Sequence, residues 1–212
     1  MNRNLSRSVL LLVDIQPDFL PGGALAVADG DAILEPLRNL VAGGRFPLVV
    51  ATQDWHPPGH VSFASSHEGR RPFDEIELHG RPQTLWPDHC VQGAPGAALH
   101  ARLPTEPIAA IVRKGADPAV DSYSAFRNNW DAAGQRHPTG LGGYLRERRV
   151  EQVWIAGLAR DFCVLWTAED AADAGFAVHV FWDLTRPVDP SSDDRVRHDL
   201  AARDVSIIDP TI

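Results

Sequence analysis

Six runs of apolar residues, separated by segments with helical periodicity, constrain the fold of this chain most strongly. The first run, SVLLLVDI at residues 8–15, is apolar without alternation, as expected of a strand buried on both faces of a parallel sheet. Similar runs follow at residues 47–54, 108–115, 152–159, 177–183 and 205–209, and helical patterns lie between them at about residues 29–44, 140–150, 161–174 and 191–202. Because such alternation requires crossover connections, the pattern predicts an α/β fold, a doubly wound six-stranded parallel sheet with helices on both faces.

Length and charge narrow the class of protein further. At about 150 residues per domain, 212 residues favour a single domain spanning residues 1–212. Twenty basic against 28 acidic residues give a net charge of -8, which argues against a nucleic-acid partner. The apolar runs are far shorter than the roughly 18 residues of a membrane span, and Asp14 interrupts the first run too early for a secretory signal. We therefore expect a cytoplasmic protein with no membrane partner.

Four of the predicted strands end on residues with chemical function. Asp14 ends the first strand, Asp54 the second and Lys114, the only lysine of the chain, the third, while the turn GLARDFC after the fourth carries Cys163. In open α/β sheets, ligands bind beyond the carboxyl ends of the strands. Two long connections, residues 55–98 and 115–138, also follow strands, and connections of this length are usually functional. The sequence predicts a site at this edge.

Cys163 is a candidate nucleophile because it lies in the first turn of a predicted helix, where free N–H groups and the helix dipole stabilise a thiolate. Asp14 is a candidate base for the thiol proton, and Lys114 would hold that carboxylate in place. Two alternatives stay open: Cys163 as a small buried apolar residue, and Asp14 with Lys114 as a structural salt bridge. Cys90 lacks such surroundings and is expected to be structural.

A second constellation indicates a metal site. The segment DWHPPGH places Asp54, His56 and His60 close together directly after a strand, and His89 in WPDHC is a further candidate imidazole. A mixed carboxylate and imidazole set suits one divalent metal ion, Zn²⁺, Fe²⁺ or Mn²⁺, and the sequence does not choose between them.

Five motifs occur together in this chain, and their order is that of a known family. They are LLVDIQPDFLPGGALAV, ATQDWHPPGHVSFAS, RPQTLWPDHCVQG, RKGADPAVDSYSAF and GLARDFCV, and the resemblance covers most of the chain from Val9 to about Asp183. Through them the chain resembles the nicotinamidase/pyrazinamidase family of the isochorismatase-like cysteine hydrolases. The resemblance implies hydrolysis of nicotinamide, and of analogues such as pyrazinamide, to nicotinate and ammonia through a cysteine thioester, in NAD salvage.

The resemblance also assigns roles to individual residues. It implies that Asp14 is the general base, Lys114 the catalytic lysine and Cys163 the nucleophile, with the amides of Ala159 and Cys163 as oxyanion hole. Phe19, Trp86 and the Leu158–Ala159 bond, a cis peptide in the family, correspond to substrate-binding positions, and Asp54, His56, His60 and His89 to metal positions at which the ion anchors the pyridine nitrogen. A homo-oligomer is suggested by the family alone.

Three alternatives and one departure qualify this interpretation. A relative acting on another small amide is disfavoured by the metal set, a metallohydrolase would activate water directly, and a non-catalytic nucleotide-binding module lacks the glycine-rich loop expected after strand one. The family commonly has Thr directly before the Asp-x-Cys sequence of this turn, and here Arg160 stands at that position, before Asp161. It would stabilise the thiolate, contact another subunit or point to solvent.

Overall fold

The computed structural model describes residues 4–209, so the predicted domain bounds of 1–212 extend beyond the described part at both ends. Its central feature is a parallel sheet of six strands in the order β5-β2-β1-β6-β7-β8, which confirms the predicted fold class. The strands are β1 Ser8–Val13, β2 Leu48–Asp54, β3 Glu75–Leu78, β4 Arg81–Thr84, β5 Ile108–Lys114, β6 Gln152–Leu158, β7 Ala177–Arg186 and β8 Ser206–Ile208.

Helices cover both faces of this sheet because its central strands are apolar on both sides. Along β1, Leu10 and Leu12 belong to one apolar cluster and Val9, Leu11 and Val13 to the other. The helix at Leu34–Ala42 packs against the first cluster, and three later helices pack against the second. The helices are α1 Leu34–Ala42, α2 Leu141–Glu147, α3 Leu165–Asp173 and α4 Asp193–Ala201.

The structure differs from the sequence pattern at two places. The long connection at residues 55–98 contains an antiparallel hairpin, β3 with β4, whose polar, half-exposed strands carry no apolar run. The predicted helix at residues 161–174 begins as a π-helical turn, Arg160–Val164, before α3. Within residues 4–209, no helix is long and apolar enough to cross a membrane.

Strand order determines which side chains meet. Strand β1 lies at the centre, with β2 on one side and β6 on the other, so Asp14 emerges between Asp54 and the turn that follows β6. Strands β2 and β5 are neighbours, and their register pairs Asp54 with Lys114. The carboxyl edge of the sheet therefore brings together residues that are far apart in sequence.

Candidate active site

Lys114 lies at the centre of the site and contacts three of the predicted residues. Its Nζ lies 2.9 Å from Asp14 Oδ2, 3.5 Å from Cys163 Sγ, and donates to Asp54 Oδ1 at 2.9 Å. It also donates to the Ser122 carbonyl at 3.0 Å. All of these groups are buried. The three predicted catalytic residues thus form one contact group with the first residue of the predicted metal set.

Asp14 is held in place by the neighbouring strand. Its φ of 50° turns the chain sharply at the end of β1, and its N–H donates to Thr52 Oγ1 at 3.0 Å. The Thr52 hydroxyl in turn donates to Asp14 Oδ1 at 2.6 Å. Oδ2 has the Lys114 ammonium nearby but, among the described residues, no aligned hydrogen-bond donor. This oxygen is therefore the acceptor available for a proton.

The electrostatics of the group favour a neutral thiol beside a basic carboxylate. Burial raises the pKa of Asp14, against the lowering effect of Lys114. Burial also raises the pKa of Cys163 well above that of an ordinary thiol, and Lys114 only partly opposes this. For Lys114, burial lowers the pKa, but Asp14 and Asp54 outweigh it and hold the pKa well above its usual value. With its pKa raised by burial, the Cys163 thiol requires a base to become a thiolate.

Two histidines and one carboxylate converge on a common point. Nε2 of His56 lies 3.0 Å and Nε2 of His89 lies 3.3 Å from Asp54 Oδ2. The opposite ring nitrogens face backbone carbonyls, His56 Nδ1 with Gly115 at 2.9 Å and His89 Nδ1 with Pro87 at 2.8 Å. A carbonyl oxygen can only accept a hydrogen bond, so we assign the ring hydrogen of each histidine to Nδ1. In neutral rings, Nε2 then has no hydrogen, and both Nε2 lone pairs face the carboxylate oxygen.

In that state three acceptors face one another, an arrangement that a bound cation would stabilise, and these ligand types with carbonyl-oriented imidazoles are typical of a divalent metal site. The residues present therefore fit a metal ion. Asp54, His56 and His89 offer ligand atoms within 4.8 Å of one another, as do His56, His60 and Asp121.

His60 adjoins the group but is oriented differently. Its ring centroid lies 4.3 Å from that of His56, while Nδ1 lies 2.8 Å from Ser62 Oγ and Nε2 lies 2.9 Å from the Asp117 carbonyl. Both ring nitrogens thus have protein partners. The structure brings His60 beside the metal group without directing it at Asp54, and its role as a ligand stays a prediction.

An aromatic pocket opens beside the thiol. Trp86 and Phe162 meet edge to face with ring centroids 4.8 Å apart, and Phe19 meets His89 at 5.5 Å. Aromatic walls with polar groups at one end are a composition suited to a flat ring. It is lined by Phe19, Leu25, Asp54, Trp86, His89, Asp121, Tyr123, Ala159, Phe162, Cys163 and Val188.

The predicted oxyanion-hole residues Ala159 and Cys163 lie in the turn after β6, and the Leu158–Ala159 bond joins the strand to that turn. The peptide bond between Leu158 and Ala159 is cis. The Ala159 carbonyl accepts from the N–H groups of Phe162 and Val164, at 3.2 and 3.0 Å, which closes the turn around Cys163. Ala159 and Cys163 both line the pocket, whereas Leu158 is fully buried in the core.

Sequence reasoning missed several residues of the site. Tyr123 lines the pocket and accepts from Gln83 Nε2 at 3.0 Å and from Trp86 Nε1 at 3.3 Å. Asp121 accepts from Gln83 Nε2 at 2.7 Å. Both residues lie in the motif RKGADPAVDSYSAF, but nothing in that motif distinguishes a pocket wall from an ordinary loop. Thr52 is one of several residues in an apolar strand and carries no signal.

Comparisons with known proteins agree with this geometry. The isochorismatase domain model matches residues 8–209. The nicotinamidases of Acinetobacter baylyi and Escherichia coli are each 46% identical to this chain over 187 residues, which is 88% and 87% of this chain and 85% of each relative. The solved structure of an Acinetobacter baumanii nicotinamidase/pyrazinamidase superposes with a TM-score of 0.90 at 42% identity, covering 97% of both chains.

Two further solved structures contain ligands. A Pyrococcus horikoshii pyrazinamidase in complex with zinc has a TM-score of 0.77 and 32% identity over 96% of this chain and 99% of its own. The yeast nicotinamidase bound to the inhibitor nicotinaldehyde has a TM-score of 0.89 and 32% identity over 96% of this chain and 100% of its own. By the domain match and by these identities, the chain belongs to the isochorismatase family and, within it, to the nicotinamidase/pyrazinamidase group.

Proposed function

We propose that this protein is a nicotinamidase, an amidohydrolase that converts nicotinamide, and analogues such as pyrazinamide, to nicotinate and ammonia in NAD salvage. One observation carries the proposal: Asp14, Lys114 and Cys163 meet beside an aromatic pocket, and Cys163 is part of its wall. The nicotinamidase relatives, similar over most of their length, support the choice of substrate.

In the proposed reaction, Asp14 accepts the proton of the Cys163 thiol, and the sulfur attacks the carboxamide carbon. The negative charge that develops on the carbonyl oxygen is stabilised by the amides of Ala159 and Cys163. The proton on Asp14 then passes to the amide nitrogen, the C–N bond breaks, ammonia leaves and a thioester remains. Asp14 next takes a proton from water, whose oxygen attacks the thioester and releases nicotinate and the thiol.

Lys114 offsets charge throughout this cycle. Its ammonium lies within 3.5 Å of Asp14, Asp54 and Cys163, so the negative charge that moves between carboxylate and sulfur stays close to a fixed cation. This is electrostatic preorganisation, because the cation does not have to move during the reaction.

We further propose that Asp54, His56 and His89, with His60 as the fourth predicted ligand, hold a divalent ion of the Zn²⁺, Fe²⁺ or Mn²⁺ class. The convergence of both Nε2 atoms on Asp54 Oδ2 supports this. When bound, the ion would supply a Lewis-acid anchor for the pyridine nitrogen. The pocket walls Phe19 and Trp86 would hold the ring in the orientation that brings its amide to the sulfur.

The test is ammonia release from nicotinamide by the purified protein, measured beside Cys163→Ala and beside a chelator-treated sample. We expect activity that disappears in Cys163→Ala and falls on metal removal. Retention of activity by Cys163→Ala would overturn the thioester mechanism and favour a metal-activated water. Activity on another small amide but not on nicotinamide would overturn the substrate assignment. A cytoplasmic location and a homo-oligomeric state stay predictions.

A further inference from the structure

Arg160, the residue that departs from the family pattern, is buried and fully engaged. Its residue surface is only 5% exposed. Nη1 donates to both carboxylate oxygens of Asp193 at 2.7 and 2.8 Å, and Nε donates to Thr185 Oγ1 at 2.9 Å. Nη2 donates to the carbonyls of Trp182 and Thr185 at 3.1 and 2.9 Å. All three guanidinium nitrogens are thus used, and none of these bonds reaches the thiol or solvent.

These bonds join the turn that carries Cys163, residues 159–163, to two other elements. Trp182 and Thr185 belong to the end of β7, and Asp193 is the first residue of α4. The guanidinium also lies over the Trp182 ring, 3.9 Å from its centroid. Arg160 therefore connects the turn both to the end of β7 and to the start of α4.

Asp161, the next residue, also bonds the turn to the segment that follows β7, and it does so as an acceptor. Asp161 accepts from the N–H groups of Val188 and Asp189, at 2.8 and 2.9 Å, and from Ser192 Oγ at 3.3 Å. Val188 lines the aromatic pocket together with Cys163. Asp161 thus bonds the segment between β7 and α4, and Arg160 bonds the strand and the helix at its two ends.

We propose that Arg160 is a positioning residue: its guanidinium, held by Asp193 and by the end of β7, fixes the turn of residues 159–163 and thereby the direction of the Cys163 thiol. The proposal rests on the proposed function only in treating Cys163 as the nucleophile. A buried guanidinium fork suits this role because it makes directional bonds to several acceptors simultaneously, which an ammonium group cannot match.

The decisive variant is Arg160→Lys, which keeps the positive charge and loses the fork. We expect kcat for ammonia release to fall about tenfold, since small misplacements of a reacting group have effects of this order or larger, and KM to change less. The rate of Cys163 alkylation by iodoacetamide, followed by intact mass with Cys163→Ala as the blank for Cys90, should fall in parallel. Both measurements are made well below the melting temperature.

The chain offers a matched control. Arg136 forms a similar bidentate pair with Asp170 on α3, at 2.7 and 2.8 Å, and its side chain is 18% exposed. Arg136→Lys makes the same chemical change away from the turn. We expect it to lower the melting temperature while kcat and the alkylation rate stay within twofold of the parent.

A second variant keeps the proposal testable if Arg160→Lys does not fold. Asp193→Asn retains the shape of the partner, whose side chain is 37% exposed, and should lower kcat and alkylation in the same direction. In the double variant the loss of kcat should be close to that of Arg160→Lys alone, because the two residues act as one unit.

Unchanged kcat and alkylation rates in folded Arg160→Lys or Asp193→Asn, with only the melting temperature lowered, would overturn the proposal and leave Arg160 a structural ion pair. A parent protein without activity on nicotinamide whose alkylation rates still follow the expected order would support the positioning role while contradicting the proposed substrate.

Discussion

Thr52 lowers the basicity of Asp14 through one short hydrogen bond, in addition to the larger effect of Lys114. Its hydroxyl donates to Asp14 Oδ1 at 2.6 Å, which stabilises the carboxylate and lowers the pKa of Asp14 against the effect of burial. Thr52→Val removes this donor, so the pKa of Asp14 should rise further. Because the ionised carboxylate is the base, we expect the acidic limb of the kcat/KM profile to move to higher pH.

The matched control for that profile is Thr139→Val, which removes a hydroxyl bonded to the Ala125 carbonyl at 2.6 Å outside the site. Its acidic limb should coincide with that of the parent. An acidic limb that Thr52→Val leaves in place would show that Asp14 is not the titrating base.

Lys114 compensates two buried carboxylates, so its loss should cost stability as well as activity. In Lys114→Met, Asp14 and Asp54 face each other without the ammonium that lies 2.9 Å from each. Removing one partner of a buried pair costs about 3–5 kcal/mol. We expect urea unfolding at pH 7.5 to show a loss in this range, together with loss of ammonia release.

The pH dependence of that loss has a definite sign. In the folded parent, burial raises the pKa of Asp54, but His56 and then Lys114 outweigh it and hold that pKa well below its usual value. This stability is therefore present above the ordinary carboxyl pKa and lost on acidification. In Lys114→Met the pKa values of Asp14 and Asp54 both rise. The variant loses stability as pH increases, because the two buried carboxyl groups ionise without a compensating cation. The deficit should therefore be smaller at pH 5 than at pH 7.5, and an equal deficit at both would contradict this account.

At the scale of elements, the strands were the predictable part of the fold. The apolar runs at residues 47–54, 108–115 and 152–159 lie within one residue of β2, β5 and β6, because unbroken apolar runs in a short segment have few other uses. Strand β7 extends three residues past its run to Arg186, where polar residues continue the pairing with β6. The hairpin β3 with β4 has no such signal.

Site residues at the ends of strands could be predicted from the sequence. Those whose neighbours depend on the order of strands in the sheet could not. Asp54 and Lys114 end their strands and Asp14 directly follows β1, so the sequence pattern predicts all three at one edge. Nothing in the sequence says that β2 lies between β1 and β5, and only this order puts Thr52 beside Asp14. Asp121 likewise depends on how a long loop folds back over the edge.

Gly157 allows β6 to approach β1 closely beside the site. Its φ is +131°, and a Cβ there would lie 2.0 Å from the Val13 carbonyl oxygen and 2.7 Å from the Val13 nitrogen, both backbone atoms that cannot yield locally. Overpacking typically costs about 1–3 kcal/mol, and the unfavourable φ adds to it. We expect Gly157→Ala to destabilise by about 3 kcal/mol or more in urea unfolding and to reduce activity, because Val13 directly precedes Asp14.

Gly143 provides the comparison for the same substitution. It lies in α2, and a Cβ there would meet no atom within 4 Å. Replacing an unstrained helical glycine by alanine usually stabilises by about 0.5–1 kcal/mol. Gly143→Ala should therefore be neutral or stabilising, with unchanged activity. A Gly157→Ala variant as stable as Gly143→Ala would show that the two strands can separate freely.

At the scale of the whole molecule, the proposed metal site connects distant parts of the chain. Asp54 ends β2, His56 follows it, and His89 belongs to the long connection before β5, so an ion held by all three would stabilise the folded state over the unfolded chain. A ligand at 100 times its Kd adds about 2.7 kcal/mol, which corresponds to roughly 5–10 °C in a protein of this size. Chelation should lower the melting temperature by this order, and added Zn²⁺ or Mn²⁺ should restore it.

Histidine variants test whether the change in melting temperature comes from metal bound at this site. In His89→Ala the melting temperature should no longer respond to chelator or added ion, and metal content after dialysis should fall. His60→Ala should retain more of the metal than His89→Ala, because the His60 nitrogens bond Ser62 and Asp117 rather than facing Asp54. His137→Ala, at an exposed histidine paired with Asp131, should respond like the parent. Equal metal loss in His60→Ala and His89→Ala would instead place all four predicted ligands on the ion, with His60 turning from its protein partners when the metal binds.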